Sequence, residues 1–129
     1  MKVFLLAAGL GRRLLPHTAS KPKCLIDIGG KPLLSWHVEK LKSLGIDHLI
    51  INLFHEGEQI ENFLGDGSKW GINIEYFYEK ELLGTGGGIG NALSSIGNEP
   101  FIVISGDVWT DFDLSNLSLN EGFLAHLIL

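Results

Sequence analysis

The chain has 129 residues, 45% of them hydrophobic, with 10 Lys and Arg against 15 Asp and Glu, so it can bury a core of ordinary domain size and carries a formal net charge of −5. That acidic balance argues against nucleic acid or a membrane surface as a partner. A single cysteine, Cys24, excludes an intrachain disulfide, and no Cys/His grouping has zinc-ligand spacing, which together fit a reducing, cytoplasmic setting.

In chain order, the first predicted element is a short buried strand over residues 3–6. Its lysine and apolar run have the outline of a secretory signal, but the run is short and Arg12 and Arg13 follow at once. No stretch approaches the ~18 to 20 apolar residues of a membrane span.

The strand opens into residues 6–23, LAAGLGRRLLPHTASKPK, where Gly9 and Gly11 form a turn followed by Arg12, Arg13, Lys21 and Lys23. Residues 1–26 hold five Lys and Arg and no carboxylate, while all fifteen acids lie in the remainder. An acid-free basic segment in an acidic chain is a local anion site. Backbone N–H groups of the turn and fixed cations together can hold a polyphosphate. The third glycine of a dinucleotide fingerprint would fall at Leu14, and no P-loop pattern occurs.

A helix is predicted over 32–44, with Leu34, Val38 and Leu41 on one face, Pro32 near its start and Gly45 just past its end. A strand at 48–53, a helix at 58–64 and a strand at 72–78 follow, and the Gly/Asp turns and Trp70 of 63–72 have a structural task. Residues 84–89, GTGGGI, are expected as a loop opening a helix over 87–96. Glycine there lets the backbone approach a flat ring and offer N–H groups to base edges. A strand at 101–105 ends in Gly106 and Asp107, and a carboxylate at a strand end suits Mg²⁺ held against phosphate oxygens. Asp111 and Asp113 are expected as turn and cap residues. His17, His37, His48, His55 and His126 lack ligand spacing. The final stretch, 123–129, reads as a strand with nothing after it, so the chain looks like part of a longer domain.

This alternation predicts an α/β fold, a Rossmann-like, doubly wound, mostly parallel sheet with helices on both faces, apparently truncated. Ligands of such sheets sit at the carboxyl ends of the strands, where residues 9–23 and Gly106–Asp107 fall.

The residues of these stretches resemble the sugar-nucleotide pyrophosphorylases, or NDP-sugar nucleotidyltransferases. The signature is Leu6-Ala-Ala-Gly-Leu-Gly11-Arg-Arg13, then Pro16-His-Thr18 and Pro22-Lys23. Within that family, Leu83-Gly-Thr-Gly-Gly-Gly-Ile89 and Gly106-Asp-Val-Trp-Thr-Asp111 are similar to the N-acetylmuramate α-1-phosphate uridylyltransferases of cell-wall recycling, and mannose-1-phosphate guanylyltransferases share much of the pattern. The resemblance implies transfer of a nucleoside monophosphate from a nucleoside triphosphate, UTP first and GTP next, to N-acetylmuramate or mannose 1-phosphate, with pyrophosphate released. It implies that Leu6, Ala7, Ala8, Gly9, Gly11, Arg12, Arg13, Lys23, Thr85, Gly86 and Gly87 bind the nucleotide. Arg13 would hold the triphosphate, Lys23 would neutralise the α-phosphate and Asp107 would carry Mg²⁺, these three being the catalytic set.

Two departures stand out: His17 and Cys24 occupy positions where the family more often has Leu and Pro. Family members are also longer, and their later half supplies the sugar-phosphate pocket and a second metal-binding aspartate. Residues 1–129 are therefore expected to form the N-terminal nucleotide-binding part of a nucleotidyltransferase domain. The competing expectation is a fragment or regulatory module that binds nucleotide without catalysis.

Overall fold

A computed structural model describes residues 1–128 of the chain. Four strands, β1 (Lys2–Leu6), β4 (His48–Leu53), β5 (Asn73–Tyr78) and β6 (Phe101–Ser105), form one sheet in the order β5-β4-β1-β6, and every neighbouring pair is parallel. Between β1 and β4 lie a two-residue hairpin, β2 (Asp27–Ile28) with β3 (Lys31–Pro32), and helix α1 (Leu33–Ser43). Helix α2 (Gly57–Leu64) joins β4 to β5, and α3 (Gly84–Asn91) with α4 (Leu93–Ile96) joins β5 to β6. No helix among the described residues is long and apolar enough to cross a membrane.

Strands buried on both faces need near-continuous apolar runs, and VFLL of β1 and LIINL of β4 supply them, whereas FIVI of β6 lies at the sheet edge and is only partly covered. Alternate residues then face opposite ways. Val3, Leu5, Leu49, Ile51 and Leu53 meet Leu34, Val38 and Leu41 of α1 and Ile60 and Leu64 of α2 on one face. Phe4 and Ile50 meet Ala92 and Ile96, with Ile89, on the other. The doubly wound, parallel architecture predicted from the alternation of elements is the one observed, and the four strands and α1 lie within two residues of their predicted bounds.

Two expectations fail. The glycine segment is not a loop: the helix begins at Gly84 and breaks after Asn91. Its start is set by Glu79, whose Oε2 accepts the Leu83 N–H at 3.0 Å and so satisfies a donor at the point where the chain turns. The strand predicted at 123–129 is also absent: residues 123–128 are irregular, and Leu129 lies outside the described residues. A strand needs a partner, and among the described residues none runs beside that segment.

Candidate functional site

Register brings the strand ends to one edge. Leu6 is level with Asn52 on one side and with Ser105 on the other, and Asn52 is level with Phe77. Two further bonds extend the alignment past the strands, Gly106 N–H to Leu6 O at 2.9 Å and Glu79 N–H to Leu53 O at 2.8 Å. Ala7, Asn52, Glu79 and Gly106 therefore all stand at the carboxyl edge of the sheet.

The loop after β1 folds back on itself. Thr18 Oγ1, buried, donates to Gly11 O at 2.6 Å. Gly11 has φ 65°, and a Cβ there would lie 2.8 Å from both Lys23 Cγ and Thr18 Cγ2, so both its conformation and its surroundings demand glycine. Arg12–Leu14 form an exposed 3₁₀ turn, and a cis peptide joins Leu15 to Pro16. A second 3₁₀ turn, Lys23–Leu25, buries Cys24 and Leu25 and leaves the Lys23 chain running along the loop. A Cβ built at Gly9 would be 3.0 Å from Lys23 Cε and 3.1 Å from Nζ.

Lys23 Nζ ends on Asp107 Oδ2, an ion pair between residues 84 positions apart. Asp107 Oδ1 accepts the Ser105 hydroxyl at 2.9 Å. Burial pushes the Asp107 carboxyl up, but the hydrogen bonds from Lys23 and Ser105 outweigh it and hold the group below the usual carboxylate range. The carboxylate is thus ionised at neutral pH, a hard oxygen donor at a strand end. Behind it, burial pushes the Cys24 thiol up to about 11 and lowers the pKa of His37, whose Nε2 has no partner among the described residues.

Of the residues singled out in the sequence, Lys23 and Asp107 meet directly, with Gly9 and Gly11 packed along the lysine. Arg12 and Arg13 are exposed on the same loop and make no ion pair among the described residues. Thr85, Gly86 and Gly87 form the exposed first turn of α3, which packs against β1. They join the loop through two residues the sequence did not single out. Asn52 Oδ1 accepts the Ala7 N–H at 2.8 Å, and Asn52 Nδ2 donates to Glu79 Oε1 at 2.8 Å. The available signal was an amide interrupting the apolar run LIINL. Asp113 caps the 3₁₀ turn Leu114–Asn116 through the Ser115 N–H, the cap role expected of it. No group of three or more His, Cys, Asp or Glu among the described residues could hold a metal ion unaided.

The model of the family described as nucleotidyl transferase matches residues 2–120. The chain is 47% identical over 135 residues to an N-acetylmuramate alpha-1-phosphate uridylyltransferase of Neisseria meningitidis, an alignment covering all of this chain and 58% of the relative. A mannose-1-phosphate guanylyltransferase of Mycobacterium tuberculosis is 38% identical over 112 residues, 87% of this chain and 31% of the relative. Among solved structures, HddC from Yersinia pseudotuberculosis complexed with GMP-PN superposes with a TM-score of 0.72 at 37% identity, over 82% of this chain and 47% of that one. The chain thus spans between about a third and three fifths of the length of these proteins. With the family model matched over almost its whole length, on a parallel sheet whose carboxyl edge carries the Gly turn, Lys23 and Asp107, the chain belongs to the nucleotidyl transferase family.

Proposed function

We propose that residues 1–129 form the nucleotide-binding part of a domain that transfers a nucleoside monophosphate from a nucleoside triphosphate to a sugar 1-phosphate. The observation that carries this reading is the meeting of Lys23 and Asp107 beside the Gly9–Gly11 turn. In the free chain each neutralises the other. A nucleoside triphosphate offers each a better-suited partner, phosphate oxygens for the ammonium and a cation for the carboxylate.

The reaction is in-line displacement: a sugar 1-phosphate oxygen bonds to the α-phosphorus as the bond to the bridging oxygen breaks, and pyrophosphate leaves with the electron pair. Positioning and charge neutralisation are the main catalytic means for such chemistry. The Gly turn from Leu6 to Gly11 presents backbone N–H groups to the nucleotide, with Arg12 beside it, Arg13 holds the departing pyrophosphate, and Lys23 balances charge on the α-phosphate. Thr85, Gly86 and Gly87 stand where the base would lie. Asp107, an ionised oxygen donor at a strand end, would hold Mg²⁺, and the ion would supply neutralisation of phosphate charge.

UTP is the favoured donor and GTP the next, on the names of the relatives in N. meningitidis and M. tuberculosis, with N-acetylmuramate or mannose 1-phosphate as acceptor and a cytoplasmic setting where triphosphates are available. Thermal-shift titration with UTP, GTP, dTTP and CTP in the presence of Mg²⁺ tests this. A ligand at 100 times its Kd adds about 2.7 kcal/mol, which raises Tm by several degrees. The favoured base is expected to give the largest shift, and no shift with any triphosphate overturns the reading. In a longer protein carrying this segment, Lys23→Ala is expected to lower kcat by about 10²- to 10³-fold. A loss below about tenfold removes the role given to Lys23.

A further inference from the structure

Asn52 stands on an inner strand of the sheet after the apolar run Leu49–Ile51, 2% exposed, and Glu79 follows β5 at 7% exposure. Burying an amide and a carboxylate in place of hydrocarbon is costly unless every polar atom finds a partner. Here three bonds do so in series: Ala7 N–H to Asn52 Oδ1 at 2.8 Å, Asn52 Nδ2 to Glu79 Oε1 at 2.8 Å, and Leu83 N–H to Glu79 Oε2 at 3.0 Å. Glu79 makes no ion pair among the described residues, so hydrogen bonds alone hold its carboxylate.

The two ends of this series are the two ends of the candidate site. Ala7 is the first residue after β1, where the phosphate-side loop begins, and Leu83 immediately precedes Gly84, where the glycine helix begins. Helix α3 also presses on the middle of the series: a Cβ at Gly88 would lie 2.7 Å from Asn52 Nδ2 and 2.8 Å from Glu79 Oε1. We infer that Asn52 and Glu79 are positioning residues that fix the span between the phosphate-side loop and the base-side helix, so that a nucleotide engages both at once. This rests on the nucleotide-binding reading above. A ligand that bridges two sites gains from both only when their separation matches it, whereas a ligand of one site is indifferent to that separation.

The test compares UTP with inorganic tripolyphosphate, each with Mg²⁺, by calorimetric titration of the wild-type chain and of Asn52→Asp, Glu79→Gln and the double variant. Asn52→Asp sets two carboxylates against each other. The double variant restores all three bonds with the middle one reversed, the new amide at position 79 donating to the new carboxylate at position 52. UTP affinity is expected to fall by about tenfold or more in Asn52→Asp, while tripolyphosphate changes by less than about threefold, and the double variant is expected to recover most of the UTP loss. Gly88→Ala, which leaves the three bonds chemically intact but pushes on them, is expected to reproduce the split and serves if Asn52→Asp does not fold. Parallel loss of both ligands, unchanged UTP binding, or no recovery in the double variant overturns the inference. If the wild-type chain binds neither UTP nor any other triphosphate, the nucleotide reading fails and this inference with it; if it binds and the variants do not discriminate, only this inference fails.

Discussion

His37 is a titratable side chain held away from water. It lies within α1, buried, and burial lowers its pKa from an ordinary value near 6.5 against the opposing influence of the Gly106 backbone. The folded chain keeps the ring neutral where the unfolded chain has begun to protonate it, so the unfolded state binds more protons just below that value. Stability therefore falls as pH drops through about 6.5. The Asp107 carboxyl, held low, loses its contribution only at far more acidic pH, so the two effects occupy separate windows. Tm measured from pH 7.5 to 5.5 is expected to decrease, and His37→Gln is expected to flatten that slope; an equal slope in the variant assigns it elsewhere. Gly11→Ala is expected to lose about 1 to 3 kcal/mol in urea denaturation, because the new methyl meets Lys23 and Thr18 at a positive φ. Cys24, with its thiol pushed to about 11 and its side chain buried, is expected to react with thiol reagents only as fast as the chain opens.

Helices α1 and α3 show two ways in which a sequence specifies an element. In α1 the residues themselves carry the information: Leu34, Val38 and Leu41 recur on one face, Pro32 precedes the first turn and Gly45 follows the last with φ 72°. Its bounds are accordingly readable from local pattern. Helix α3 is GTGGGIGN, among the poorest helix-forming sequences available, and forms because Glu79 holds its start while Ile89, the following Ala92 and Ile96 of α4 pack on Phe4 and Ile50. Nothing local reveals that. Gly90 sits within α3 with open space around its Cβ position and no positive φ. Gly90→Ala is expected to stabilise the chain by about 0.5 to 1 kcal/mol by restricting the unfolded chain, read as a higher urea midpoint at unchanged slope.

For the whole molecule, the turn after β1 was legible because its glycines and cations all fall within residues 9–23, and the place of Asp107 at a strand end was legible because an apolar strand runs straight into it. The bonds that assemble these parts were not, since they join residues far apart: 45 positions for Ala7 with Asn52 and 84 for Lys23 with Asp107. One sheet edge is likewise visible only in three dimensions. Strand β6 has no neighbour on its outer side among the described residues, and Val103 at its centre is 40% exposed. An open apolar edge is a template for another strand. The chain is expected to self-associate with rising concentration in size-exclusion chromatography, and Val103→Lys is expected to reduce this; an unchanged profile locates the contact elsewhere. The sheet order has a consequence in time as well as in space. Strand β1, at the start of the chain, takes its neighbours from β4 and β6, with Lys2 level with Phe101. During synthesis its apolar residues leave the ribosome long before the second neighbour exists. Sheet closure is then a late event in synthesis, since β1 cannot gain its second neighbour until Ser105 has emerged.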